Sequence, residues 1–120
     1  MLDSSTGFDP PLDLVHLARQ CLGDHELEAE LLQLFRQQAP ALTARLSGSP
    51  PLSLEAKAKI AHALRGSALA VGAGRVAGAA SRIEELASAG GDQSSAEARA
   101  IAALLSAVSE ALTEIDRLRG

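Results

Sequence analysis

Residues 94–118 carry Ile101, Leu104, Leu105, Val108, Leu112, Ile115 and Leu118 at three- and four-residue intervals. Only an α-helix brings such positions onto one side of the chain, because its turn closes every 3.6 residues. The same spacing runs through Leu27, Leu31, Leu34, Phe35, Leu42 and Leu46. No stretch alternates apolar and polar residues as a half-buried strand would. Aromatic residues make up 2% of a chain that is 47% hydrophobic, so Leu, Ala, Val and Ile must build the core. Ala, Leu, Glu, Arg and Gln favour helix, whereas sheets favour aromatic and β-branched residues. At 120 residues the expectation is one all-α domain.

Breaks divide the helical pattern. Residues 1–8 are small and polar and read as a flexible N-terminus, leaving 9–120 as a single domain. Asp9-Pro10 reads as the start of a short helix through LDLVHLARQCL, which ends at Gly23. Asp24 caps a long second helix, and Pro40 within it should kink it or shift its hydrogen bonding. Ser47-Gly48-Ser49-Pro50-Pro51 separates this from a third helix, capped by Ser53 and running to about Val71. Gly72-Ala73-Gly74 interrupts again before a fourth helix, which reaches Gly90-Gly91. Ser94-x-x-Glu97 reads as a capping box for the last. The pattern predicts an antiparallel four-helix bundle with a short additional N-terminal helix.

Charge and cysteine content narrow the function. A net charge of −4 and two phenylalanines as the only aromatics offer neither phosphate neutralisation nor base stacking, which argues against nucleic-acid binding. No apolar run reaches membrane-spanning length, and MLDSSTG lacks the order of a signal peptide. The lone Cys21 has no partner for an internal disulfide. A cytoplasmic, monomeric protein without membrane association is the expectation.

The third helix holds the most informative residues. With His62 placed at zero on a helical wheel, Ile60, Leu64, Ser67 and Val71 lie within about 40° of the opposite side. They form the expected core stripe. Ala58, Lys59, Arg65, Gly66 and Leu69 lie within about 60° of His62, so the histidine should face solvent. Glycine inside a helix costs ~1 kcal/mol relative to alanine, and close approach by another molecule would offset it. Leu69, apolar on the same face, fits a docking surface. A neutral imidazole is a nucleophile near neutral pH and needs no neighbouring base. Arg65 and Lys59 are placed to stabilise charge on a transferred phosphoryl group. His16 and His25 read as structural, and a metal site would need both to converge with an outward-pointing His62. Glu84-Glu85 and Asp13 read as solvated helix faces, and no cofactor-binding motif is present.

The run His62-Ala63-Leu64-Arg65-Gly66-Ser67-Ala68, followed by Gly72-Ala73, resembles the signature of histidine-containing phosphotransfer (HPt) domains. The resemblance extends over most of residues 8–118, with a short helix, a Gly-Asp break and a long helix carrying Leu-x-x-Phe. It implies a phosphocarrier without its own ATP site, not an enzyme in the strict sense. His62 would accept a phosphoryl group on its distal ring nitrogen from a receiver aspartyl-phosphate and pass it to another receiver. The partners implied are the receiver domain of a hybrid histidine kinase and response regulators, with the divalent metal held by the receiver. Arg65, where the family usually has lysine, would contact the phosphoryl oxygens. Gly66 would leave room for the receiver, with Ala58, Lys59 and Leu69 around it. Gly72 would permit the turn between the third and fourth helices. An alternative from another class is a helical adaptor or inhibitor that docks on a receiver or kinase without accepting phosphate.

Overall fold

A computed structural model describes residues 10–48 and 50–119, with the side chain of Arg119 set aside. The flexible segment expected at residues 1–8 therefore lies outside the described residues, as does Asp9. Five helices follow in order: α1 (Leu14–Gln20), α2 (His25–Leu46), α3 (Leu54–Val71), α4 (Gly74–Ala89) and α5 (Ser94–Arg119). No strand occurs among the described residues. Neighbours in sequence from α2 to α5 pack side by side, and α2 meets α5 to close a four-helix bundle. The short α1 lies against α2 and α3.

Side-chain caps set three of the starts. Asp24 accepts from the Leu27 amide at 3.1 Å, and Ser53 Oγ accepts from the Ala56 amide at 3.1 Å. The first helix departs from expectation, since Pro10 and Pro11 precede it. Asp13 is its cap instead, accepting from the His16 amide at 3.0 Å. The capping box expected at Ser94 is also absent. Ser94 is already the first helical residue, bonded to Asp92 by both its amide and its hydroxyl. Glu97 turns instead to Lys57 of α3, 2.8 Å away in a largely buried ion pair.

The core stripe of α2 is narrower than its leucine spacing implies. Phe35, Ala39, Thr43 and Leu46 are buried, whereas Leu27 and Leu34 are 39% and 47% exposed. The helix continues through Pro40, whose missing amide leaves the Arg36 carbonyl without its helical donor. Thr43 Oγ1 donates to the Ala39 carbonyl at 2.7 Å, which satisfies the one buried hydroxyl of this stripe.

The α3–α4 hairpin packs most closely, because the contact is built from small residues. Ala61, Ala68, Ala73 and Ala80 are each fully buried, interleaved with Leu64, Val71, Val76 and Ile83. Its turn ends α3 with a left-handed residue, Gly72, at φ +78°. The Ala73 amide reaches back to the Ala68 carbonyl at 2.8 Å. Asp13 crosses this turn, its amide donating to the Gly72 carbonyl at 2.8 Å. A Cβ on Gly72 would lie 2.6 Å from the Asp13 carbonyl oxygen, so glycine is required twice over. No described helix is long and apolar enough to cross a membrane.

Candidate functional site

Burial on α3 confirms the outward face and rotates the inward one. Ile60, Ala61, Leu64, Ala68 and Val71 are buried, but Ser67 is only half-buried. The core stripe thus shifts from Ser67 towards Ala61 and Ala68, where small side chains let a neighbouring helix approach. His62 stands opposite this stripe, with its side chain 66% exposed.

The decisive contact comes from α4. Glu84 Oε2 lies 3.0 Å from His62 Nδ1. A carboxylate oxygen only accepts, so in the neutral imidazole Nδ1 carries the proton and donates it. The nucleophilic lone pair then sits on Nε2, which has no hydrogen-bond partner among the described residues. The other carboxylate oxygen of Glu84, Oε1, lies 3.7 Å from Nε of Arg65, an ion pair longer than a hydrogen bond. One carboxylate, 26% exposed, therefore faces both the histidine and the arginine.

This corrects the reading of Glu84 as a solvated face residue, and the sequence held a signal for it. His62 and Glu84 lie eleven residues on either side of Ala73, in the α3–α4 turn. Antiparallel helices joined by so tight a turn place equidistant residues opposite each other. Glu84 also falls four residues after the buried Ala80 and seven after the buried Ala77, on the edge of the inner face.

The other predicted residues are distributed unevenly. Arg65 is 40% exposed and joins the cluster through Glu84. Lys59 does not: its Nζ pairs with Glu55 at 3.8 Å, both side chains being about four-fifths exposed. Such a pair contributes little. Ala58 is half-buried beside this face. Gly66 is exposed, and a Cβ built on it would meet nothing within 4 Å. Leu69 is 51% exposed.

The remaining histidines have other surroundings. His16 Nε2 donates to the Leu69 carbonyl at 2.7 Å and so ties α1 to the end of α3. His25 is exposed at the start of α2, 3.6 Å from Glu28. Among the described residues no group of three or more His, Cys, Asp or Glu side chains could hold a metal ion.

A family model described as Hpt domain matches residues 30–119, which spans most of α2 and all of α3 to α5. No curated protein and no solved structure matched the chain.

Proposed function

The chain belongs to the Hpt domain family, whose members carry phosphoryl groups in two-component phosphorelays, and on that premise we propose that His62 is its phosphoacceptor. In this reading His62 Nε2 takes a phosphoryl group from a receiver aspartyl-phosphate and yields it to the aspartate of another receiver. The donor is the receiver domain of a hybrid kinase or a response regulator, and the chain needs no ATP site of its own. The observation that carries this is the hydrogen bond from His62 Nδ1 to Glu84, which leaves Nε2 free in an exposed side chain beside Arg65.

The step balances without moving a proton. Nε2 attacks phosphorus, the N–P bond forms, and the acyl P–O bond breaks to leave a carboxylate on the receiver. The ring, still protonated on Nδ1, becomes cationic as the bond forms. Glu84 faces that developing charge and acts as a positioning residue for the tautomer. Arg65 supplies a guanidinium to the incoming phosphoryl oxygens, in a planar fork that can engage two of them. In the reverse direction the receiver carboxylate attacks and a neutral imidazole leaves with its Nδ1 proton in place. No general base is needed in either direction, which accords with a site holding one carboxylate already bonded to the ring.

Gly66 and Leu69 belong to the surface the receiver covers, with Ala58 at its edge. Lys59 lies on the same surface, but its pairing with Glu55 offsets its charge there, so any electrostatic support from it is smaller than that from Arg65. Incubation with a phosphorylated receiver tests the assignment. The expected product is an acid-labile, alkali-stable label on His62 that is lost in His62→Gln. Label retained by that variant, or a variant that still serves the relay, would sink the carrier reading in favour of a docking adaptor.

A further inference from the structure

The outer side of α2 carries Leu27, Leu31, Leu34, Gln38, Ala41 and Arg45, spaced alternately four and three residues apart. That alternation keeps one stripe along the helix for about 27 Å, and it is the spacing by which helices pack lengthwise on each other. The stripe is left largely uncovered. Leu27 and Leu34 are 39% and 47% exposed, Gln38, Ala41 and Arg45 are exposed, and Leu31 is half-buried. A shallow groove on its N-terminal half is lined by Glu26, Leu27, Glu30, Leu31 and Leu34.

Size and charge are divided along this stripe. Its first half holds three leucines flanked by two acids, Glu26 and Glu30, and its second holds Gln38, the small Ala41 and the cation Arg45. Glu26, Glu30 and Arg45 have no ion pair or side-chain hydrogen bond among the described residues. Reversed end to end, such a stripe complements itself. When positions equally far from residue 36 meet, Leu27 faces Arg45, Leu31 faces Ala41 and Leu34 faces Gln38, each pair occurring twice about a twofold axis. Bulky side chains then lie over short or flexible ones. The stem of Arg45 covers Leu27, and its guanidinium falls between the two acids that flank that leucine. A parallel pairing would instead set both acids against their own copies.

We propose that this face seats a second copy of the chain, packed antiparallel along α2, with Arg45 of each copy in the groove of the other. The protein is then a weak symmetric dimer in place of the monomer expected from its sequence, because one helix-on-helix seam is at the small end of specific interfaces. The face carries none of His62, Arg65 or Glu84, so the proposal does not rest on the phosphoacceptor assignment.

Sedimentation equilibrium of the full chain from about 10 µM to about 1 mM tests this, and the parent should dimerise within that range. Arg45→Glu should weaken association by at least about tenfold, as should Glu26→Lys combined with Glu30→Lys, since each sets like charges face to face. Mixed in equal amounts, the two variants should pair with each other at about the parental strength, because both clusters are then restored with their signs exchanged. All three positions are exposed, so circular dichroism should report an unchanged fold. A parent that stays monomeric at the highest concentration overturns the proposal. So does an Arg45→Glu protein that dimerises like the parent, or a mixture that fails to recover association. A monomeric parent in which Arg45→Glu slows transfer from a phosphorylated receiver would give this face to the receiver and equally overturn it.

Discussion

Gly66 should be a residue that costs this protein stability and gives it access for a partner, so its replacement ought to move the two properties in opposite directions. It lies inside α3, with a helical turn following it before Val71. Glycine at such a position is about 0.8–1.0 kcal/mol less favourable than alanine. A Cβ there meets nothing within 4 Å, so Gly66→Ala brings neither a clash nor new burial, and the propensity difference stands alone. Unfolding entropy near 2.1 cal/mol/K per residue gives roughly 0.25 kcal/mol/K for 120 residues. The variant should therefore melt about 4 °C higher in a circular dichroism scan. Gly66→Leu should also fold. Yet it places a bulky group one turn from His62 on the same exposed face, about 6 Å along the axis. Transfer from a phosphorylated receiver should then fall by roughly 100-fold, as expected when reacting groups are held about an ångström out of place. A Gly66→Ala protein less stable than the parent would refute the claim that the fold does not need this glycine. A Gly66→Leu protein transferring at the parental rate would refute the claim that the partner approaches there.

Glu84→Gln keeps an acceptor for the Nδ1 proton and should slow transfer only modestly. Glu84→Ala leaves the tautomer unselected and should slow it by about tenfold or more, as rapid-quench kinetics would resolve; equal rates in both variants and the parent would remove the positioning role. Gly72→Ala forces a left-handed backbone on an L-residue and drives its Cβ into the Asp13 carbonyl, so urea denaturation should report a loss of about 2–4 kcal/mol. The Cys21 thiol is pushed up from its ordinary pKa by burial first, and then by the carboxylates of Glu28 and Asp24. Its iodoacetamide reaction at pH 8 should run far slower in the native protein than in urea, and a native rate matching free cysteine would contradict that burial.

Much of the bundle is legible from local chemistry. Asp24, Ser53 and Gly72 mark helix ends that the structure keeps, because each acts through backbone groups within a few residues, and Gly90 marks another by its positive φ. The misplacements share a different cause. Asp13 rather than Asp9 begins α1 because its backbone also bonds Gly72, a partner 59 residues away. Ser94 and Glu97 match a capping box in spacing, but Lys57 on another helix takes the carboxylate. Leu27 and Leu34 continue a helical period past the arc that neighbours cover, since periodicity marks a face and not its width. His62, Arg65 and Gly66 were visible on a single wheel. Glu84 was not, because it joins them only across the hairpin.

That hairpin makes the chemistry of His62 a matter of register. The ring alone can adopt either of two tautomers, and among the described residues the carboxylate at position 84 selects the one with its lone pair on Nε2. Position 84 faces position 62 because the α3–α4 turn is short and fixed. Gly72 reverses the chain in a left-handed conformation, Ala73 bonds back to Ala68, and Asp13 is laid across the top. One residue inserted in this turn would rotate Glu84 about 100° around α4 and carry it off the ring. The alanines on the inner faces hold the two helices close enough for a short acid side chain to span the gap. The exposed face, by contrast, carries a glycine without internal contacts and a pair, Lys59–Glu55, that is almost fully solvated. Packing is thus concentrated behind the His62 ring, and the face in front of it is open. For the phosphoacceptor role proposed for His62, that division would hold one tautomer while leaving Nε2 open to a receiver.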